Sequence, residues 1–304
     1  MDKGLKNNKY FLLLFLTPVL LISCHYMFKN PPSKYQNKFN NTSPVYEPIK
    51  EIFLKGGDTG ILLIHGYAAS SLTMKPIAYA LNKYGFTVYC PLLPGHGTNP
   101  EDLEKVYMED YYNYIEKAYK KFHKKTSKIV VVGHSLGSLL AIRLSKNHKM
   151  EAVILISPPL LVLKEGMTKE EIHDSAVIIG NILGKLPRPN PTYLKNPDYF
   201  RKYGIYTEFP VSSLEVLAQV VNQARKDLIY VNEPLLVILG NLDPLVDLRT
   251  GEYIKKTAKS FLIKVVVINS VGHRFFLGEK MPVVIKEICA FIKDINAIKA
   301  QQQK

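Results

Sequence analysis

The chain has 304 residues, of which 47% are hydrophobic, so it can bury one large core, and its composition excludes a globally disordered protein. Its formal net charge is +14, but the basic residues are scattered and form no stripe with interleaved aromatics, which argues against a nucleic-acid partner. The charge fits either ordinary solvated lysines or an attraction to anionic lipid. No pair of cysteines or histidines has the spacing of a zinc site.

The start of the chain, up to Cys24, has the organisation of a secretory signal. Three lysines precede a mostly apolar run from Phe11 to Ile22, which is too short to cross a bilayer of about 30 Å as a helix. The run ends in Leu21-Ile22-Ser23-Cys24, which resembles a bacterial lipobox. This resemblance implies that residues 1–23 are a removed signal peptide and that Cys24 is acylated. An uncleaved anchor helix and an ordinary signal peptide are the alternatives.

Residues 24–48 are polar and lack any hydrophobic periodicity, which predicts a flexible tether between the lipidated Cys24 and a domain over residues 49–300. Removal of residues 1–23 takes away three lysines and one aspartate, so the remaining chain stays strongly basic. We therefore expect a lipoprotein of the cell envelope, held at a membrane outside the cytoplasm by its N-terminal lipid. Nothing in the sequence specifies an oligomeric state.

From Glu51 onward, short apolar runs alternate with amphipathic segments. The predicted strands are Glu51–Leu54, Gly60–His65, Phe86–Leu93, Lys128–Val132, Glu151–Ile156, Leu235–Gly240 and Ile263–Asn269. The predicted helices are Ser71–Leu81, Met108–His123, Leu136–Ser145, Asp247–Ser260 and Glu279–Ile298. The repeated strand–helix order predicts an α/β fold, with a mainly parallel sheet and helices on both faces.

The alternation stops between residues 158 and 232. A capping-box pattern opens a helix at Thr168 that runs to about Leu183, and a second helix begins at Ser212. A segment rich in proline and tyrosine, Leu186–Pro210, separates the two helices. An insertion of this kind between two sheet strands predicts a helical cap over the sheet.

The strand Lys128–Val132 runs directly into Gly133-His134-Ser135-Leu136-Gly137. The G-x-S-x-G spacing between a buried strand and a helix is typical of a tight turn that lifts a serine hydroxyl clear of the sheet. Both glycines are expected where the turn leaves no room for a Cβ atom. Ser135 is therefore the candidate nucleophile.

A serine nucleophile needs a histidine base that a carboxylate orients, and in the order Ser, Asp, His these partners follow late strands. Asp243 comes soon after the strand Leu235–Gly240, and His273 lies just past the last predicted strand. Because the carboxyl ends of parallel strands share one edge, the three side chains can converge. Asp247 is the alternative acid, although it is better placed to cap the helix that follows it.

The tetrahedral intermediate of acyl transfer requires backbone N–H donors for its oxyanion. We assign these to Leu136, which follows the nucleophile, and to Tyr67, which follows His65-Gly66 after an early strand. The Tyr67 side chain is expected to form a pocket wall. His65 and His96 are expected to order loops by hydrogen bonding. His134 should point away from Ser135.

With these residues the chain resembles the α/β-hydrolase family over about residues 51–298. The resemblance is carried by five motifs in order, which are His65-Gly66-Tyr67, Pro94-Gly95-His96-Gly97, Gly133 to Gly137, Gly240-Asn241-Leu242-Asp243 and Gly272-His273. Within that family it is most similar to bacterial carboxylesterases and monoacylglycerol lipases. This similarity implies hydrolysis of carboxylic esters without a cofactor or a metal, on monoacylglycerols, lysolipids or short- to medium-chain acyl esters.

Other activities remain open from the sequence. An aminopeptidase of the same fold would need a carboxylate cluster in the cap, for which Glu170, Glu171 and Asp174 are candidates, although they also suit the first turn of a helix. An acyltransferase would use the same residues as an esterase. A noncatalytic lipid-binding lipoprotein is a further alternative, but a scaffold without activity has no need to keep Ser135, Asp243 and His273 together.

Overall fold

The structure is a computed structural model that describes residues 48–161, 185–187, 197–206, 208–210 and 212–302. The predicted signal peptide, Cys24 and the tether up to residue 47 lie outside these residues, as does the predicted helix Thr168–Leu183 with Glu170, Glu171 and Asp174. Within the described part of the chain, no helix combines the length and apolar character that crossing a bilayer requires.

Seven strands form the central sheet, in the order β1-β3-β2-β4-β5-β8-β9. They are β1 Ile52–Leu54, β2 Thr59–Ile64, β3 Thr87–Cys90, β4 Lys128–His134, β5 Ala152–Ile156, β8 Leu235–Gly240 and β9 Ile263–Ile268. The first strand pairs antiparallel with β3, and every other neighbouring pair is parallel. Six carboxyl ends therefore meet at one edge, where the loops that follow them can build a common site.

Helices cover both faces of this sheet, as the alternation predicts. They are α1 Ser71–Lys83, α2 Met108–His123, α3 Leu136–Ser145, α4 Pro197–Lys202, α5 Ser212–Asp227, α6 Thr250–Thr257 and α7 Met281–Gln302. The bounds of α2 and α3 match the sequence prediction. The structure makes α6 shorter than predicted at both ends, and it continues α7 to Gln302.

Alternate residues of a strand supply two separate cores. In β2, Leu62 and Ile64 pack with α2, α3 and α5, whereas Ile61 and Leu63 pack with α1 and α7 on the opposite face. All four side chains are fully buried. Because β2 is buried on both faces, its sequence is a continuous apolar run rather than an alternating one. Packing from both sides also fixes the position of the strand and of the loop at its end.

Between β5 and β8 the structure describes parts of the predicted cap. The helix α5 begins at Ser212 as predicted. The sequence did not predict α4 or a two-stranded antiparallel ribbon of β6 Lys185–Pro187 and β7 Glu208–Pro210, because prolines and tyrosines mask the strand pattern. A short 3-10 helix over Pro100–Lys105 was also missed.

Candidate active site

Ser135 lies between β4 and α3 with a backbone conformation that side chains rarely adopt, at φ 52° and ψ −117°. Its N–H donates to the carbonyl of Ile156 at 2.9 Å. The Ser138 hydroxyl contacts the carbonyl oxygens of Gly133 at 2.7 Å and Ile156 at 3.1 Å. The turn is thus fixed from both sides, and the surrounding hydrogen bonds hold a strained residue in place.

The two glycines of the motif stand where a side chain cannot fit. A Cβ atom on Gly133 would lie 2.1 Å from the carbonyl oxygen of Gly137, and one on Gly137 would lie 2.1 Å from that of Ile64. The expectation that this turn has no room for a Cβ is confirmed. The close approach lets α3 begin directly behind Ser135 and above the end of β2.

Asp243 and His273 are hydrogen-bonded side chain to side chain. His273 Nδ1 lies 2.8 Å from Asp243 Oδ2, and the two side chains are only 12% and 1% exposed. The other carboxylate oxygen, Oδ1, accepts the backbone N–H groups of Leu245 at 2.9 Å and Val246 at 3.1 Å. The carboxylate is therefore held in place by its own loop through Oδ1, while Oδ2 orients the imidazole of His273.

The surroundings of Asp243 favour its charged form. Burial acts to raise the pKa of this carboxyl, but the hydrogen bond and the charge of His273 and the two loop amides outweigh burial, so the net shift of the pKa is downward. An ionised carboxylate can only accept, which places the proton of the neutral imidazole on Nδ1. Nε2 of His273 is then left with a lone pair, the form that a general base requires.

The loops that carry Asp243 and His273 are joined through their backbones. Leu242 N–H donates to the carbonyl of Val271 at 2.9 Å, and a Cβ atom on Gly240 would come within 2.7 Å of that same oxygen. The alternative acid Asp247 has a different partner, since its carboxylate binds the backbone and side chain of Arg249. The structure therefore brings Asp243, and not Asp247, to His273.

His134 connects the serine turn to the histidine loop. Its Nε2 lies 3.0 Å from the backbone carbonyl oxygen of His273, and the two imidazole rings are 4.9 Å apart. Phe276 packs edge-on against the His134 ring at 4.5 Å. Burial, followed by the charges of neighbouring groups, holds the pKa of His134 well below its usual range. The sequence placed this side chain away from Ser135 but did not identify its partner.

The loop after β2 lies against the serine. A Cβ atom on Gly66 would be 3.3 Å from Ser135 Cβ and 2.9 Å from His134 Nδ1, so this glycine lets the backbone approach the nucleophile. Leu136 occupies the first turn of α3, where N–H groups have no acceptor within the helix. The Tyr67 hydroxyl hydrogen-bonds to Ser213 Oγ in α5, within the predicted cap.

His65 and His96 order two loops beside the site, as expected. His65 Nδ1 donates to the Gly66 carbonyl at 2.9 Å, and His65 Nε2 accepts the Leu93 N–H at 3.0 Å. His96 Nε2 likewise accepts the Ala68 N–H at 3.0 Å. Burial lowers the pKa of His65 to about 4, so this ring stays neutral and keeps its acceptor nitrogen at neutral pH.

Tyr206, in the predicted cap region, hydrogen-bonds to the same loops. Its N–H donates to the Ala68 carbonyl at 2.9 Å. Its hydroxyl donates to the Gly95 carbonyl and accepts the Thr98 N–H, both at 3.0 Å. Sequence reasoning missed this residue because a tyrosine in an irregular segment carries no motif. Its role is to join three residues that are distant from it in the sequence, Ala68, Gly95 and Thr98.

Comparison of the sequence with known protein families agrees with the fold that carries Ser135, Asp243 and His273. Residues 58–280 match the family described as serine aminopeptidase, S33. The chain belongs to this family of α/β-hydrolases. The match extends from the start of β2 to the 3-10 turn after His273, and so includes all of the loops described above.

Two bacterial relatives match this chain over nearly their whole length. The chain is 28% identical over 254 residues to a thermostable monoacylglycerol lipase of Bacillus sp. (strain H-257), in a match that covers 82% of this chain and 96% of the relative. It is 20% identical over 248 residues to a carboxylesterase of Bacillus subtilis (strain 168), with coverage of 81% and 97%.

Solved structures share the fold. A lipolytic enzyme from the metagenome-derived pair LipS and LipT superposes with a TM-score of 0.72 at 20% identity, covering 83% of this chain and all of that one. The monoacylglycerol lipase of Paleococcus ferrophilus superposes with a TM-score of 0.66 at 20% identity, covering 81% of this chain and 99% of that one. These likenesses establish the α/β-hydrolase fold.

Proposed function

We propose that the protein is a serine esterase that cleaves carboxylic esters through an acyl-enzyme on Ser135. One observation carries the proposal. A buried, loop-fixed carboxylate lies 2.8 Å from His273 Nδ1, at the sheet edge where Ser135 is held in a strained turn. The relatives named monoacylglycerol lipase and carboxylesterase support ester substrates, with monoacylglycerols, lysolipids and short- to medium-chain acyl esters as the first to assay.

In the proposed reaction, Ser135 Oγ attacks the acyl carbon while its proton passes to His273 Nε2. Asp243 stabilises the imidazolium that forms. The N–H groups of Tyr67 and Leu136 donate to the oxyanion of the tetrahedral intermediate. The intermediate collapses as the imidazolium protonates the leaving alcohol, and the acyl group stays on Ser135. Water then gives a proton to His273 as it attacks the acyl carbon. The second tetrahedral intermediate collapses as His273 returns this proton to Ser135 Oγ, which releases the acid and restores the free enzyme.

The test uses the purified full-length chain in detergent and acyl esters of graded chain length, with Ser135→Ala as the matched control. The proposal expects turnover of at least one ester that falls at least about a thousandfold in Ser135→Ala. Ester turnover that survives this substitution, or no turnover of any ester, contradicts it. Products formed with added glycerol as acceptor distinguish hydrolysis from acyl transfer.

A second candidate is an aminopeptidase, which the description of the matching family favours. This activity uses the same nucleophile but needs a carboxylate to bind the substrate's amino group. The assay is the release of p-nitroaniline from aminoacyl p-nitroanilides by the same preparation. Amide turnover that exceeds ester turnover and depends on Ser135 would replace the esterase proposal with this one.

We further propose that residues 158–232 form the cap over this site and that Cys24 anchors the protein to a membrane. The contacts of Tyr67 with Ser213 and of Tyr206 with Gly95 support the cap, because they join its described parts to loops beside Ser135. The lipobox-like Leu21-Ile22-Ser23-Cys24 supports the anchor. Cell fractionation of Cys24→Ser should move the protein from the membrane to the soluble fraction. Continued membrane association would exclude Cys24 as the anchor.

A further inference from the structure

Arg274 directly follows His273 and lies between the histidine loop and the cap helix α4. Its guanidinium carbon is 6.0 Å from the centre of the Phe200 ring. Phe200 is fully buried and packs with Ala69, which belongs to the loop after β2. Tyr199 is the other α4 residue close enough to interact with the arginine charge. Arg274 thus lies where the histidine loop, α4 and the loop after β2 come together.

This arginine differs from its counterparts elsewhere in the described chain. Arg143 binds Asp227 at 2.9 Å, Arg249 binds Asp247, and Arg225 donates to the Leu160 carbonyl at 2.7 Å. For Arg274, the structure places neither a carboxylate nor a carbonyl within hydrogen-bond distance among the residues that it describes. A guanidinium has five N–H donors, and leaving them unpaired in a half-buried position is unfavourable.

Arg274 is only partly buried, so part of its side chain remains open to solvent. Burial nevertheless lowers the pKa of Arg274, which means that the surroundings do little to stabilise its charge.

The position of this charge matters for the proposed reaction, because Arg274 directly follows the candidate base His273. An anion bound to the guanidinium would satisfy its N–H donors, in the planar paired geometry that carboxylates and phosphates offer.

We propose that Arg274 binds an anionic group of the substrate, so that the preferred esters carry a carboxylate or a phosphate near the scissile bond. This inference rests on the proposed esterase function and names its substrate class. The carboxylate could lie at the far end of a dicarboxylic acyl chain, or the phosphate could lie on the alcohol. Both present the same chemistry to Arg274, and substrate pairs can distinguish them.

The experiment compares kcat/KM for two matched pairs on the full-length protein. Methyl hexanoate and monomethyl adipate differ by a carboxylate on the acyl side. A 1-monoacylglycerol and the 1-acylglycerol 3-phosphate with the same acyl chain, both below the micellar concentration, differ by a phosphate on the alcohol side. The wild-type protein should prefer the anionic member of at least one pair by about tenfold or more.

Three variants assign that preference to Arg274. Arg274→Gln should lower kcat/KM for the preferred anion by at least about tenfold and change the neutral partner less than about threefold. Arg274→Lys should keep part of the preference because it keeps the charge but not the planar donor pair. Lys280→Gln removes an exposed positive charge further along the same segment and should keep the full preference.

The outcomes separate the two proposals. Equal Ser135-dependent kcat/KM for anionic and neutral esters in the wild type would overturn the anion site and leave the esterase function intact. A parallel loss on both members of a pair in Arg274→Gln would show that the arginine acts only through packing on Phe200, and would also overturn it. Failure to hydrolyse any of the four esters, with other acyl esters still turned over, would overturn this inference alone. No turnover of any ester would overturn the esterase proposal and this inference with it.

Discussion

His134 donates a hydrogen bond from Nε2 to the backbone carbonyl oxygen of His273 over 3.0 Å. Because a carbonyl can only accept, the proton of this neutral imidazole is on Nε2, and the low pKa of His134 keeps the ring in that form. The residue beside the candidate nucleophile therefore holds the loop that carries the candidate base. Two loops from distant parts of the chain are positioned by one side chain.

Removal of this hydrogen bond should reduce turnover rather than substrate binding. We expect His134→Leu to lower kcat about tenfold with less than a threefold change in KM, since the loss of one buried hydrogen bond costs about 1–3 kcal/mol and here mispositions the base. His134→Gln, whose amide can donate to the same carbonyl, should recover much of the rate. Steady-state kinetics test this expectation, and an equal loss in both variants would contradict it.

The strain at Ser135 should be measurable in stability. Ser135→Ala and Ser135→Gly both remove the hydroxyl, but only alanine retains a Cβ atom at φ 52°. We expect the glycine variant to have the larger free energy of unfolding, by about 1 kcal/mol, because glycine adopts positive φ without a steric penalty. Urea unfolding of the two variants measures the difference.

Lys117, an exposed residue within α2, provides the control for this comparison. At an ordinary helical position glycine is less stable than alanine by about 1 kcal/mol, so Lys117→Gly should unfold more readily than Lys117→Ala. The order of the two substitutions should reverse between the sites. The same order at both sites would mean that the serine turn stores no strain.

Patterns of local chemistry predicted much of the fold and of the site. The apolar runs identified the strands of the sheet because those strands are buried on both faces. The glycines beside Ser135, Asp243 and His273 predicted turns that put these residues at the ends of strands. Residues whose importance comes from distant partners could not be found in this way. Tyr206 and Arg274 belong to no motif, and the carbonyl that His134 contacts depends on how two loops fold toward each other.

The backbone contact at Gly137 should make this glycine indispensable for folding. A Cβ atom there would lie 2.1 Å from the Ile64 carbonyl oxygen, and neither backbone can move without displacing the other. We expect Gly137→Ala to lower the free energy of unfolding by about 3 kcal/mol or more. Gly278→Ala, whose Cβ atom would come only within 3.9 Å of the Phe275 carbonyl oxygen, should change it by less than about 1 kcal/mol. Similar effects of the two substitutions in urea unfolding would contradict this difference.

Burial of His65 should make the folded state sensitive to mild acid. The pKa of His65 is about 4 in the folded protein against 6.5 for an ordinary histidine, mainly because burial disfavours its charged form. Below pH 6.5 the unfolded chain therefore binds a proton that the folded protein does not. The free energy of unfolding contributed by this residue is fully present above about pH 6.5 and should fall by ~3 kcal/mol as the pH drops to about 4.

Other groups allow this window to be assigned. The pKa of His134 is also lowered, so this residue adds to the loss of stability in acid. Burial raises the pKa of Glu233, so Glu233 contributes in the opposite direction. The pKa of Asp243 is lowered, so its contribution is lost only at lower pH. Urea unfolding between about pH 7 and pH 4.5 should show a loss of stability that is smaller in His65→Gln. His123→Gln, at an exposed histidine in α2, should retain the wild-type slope.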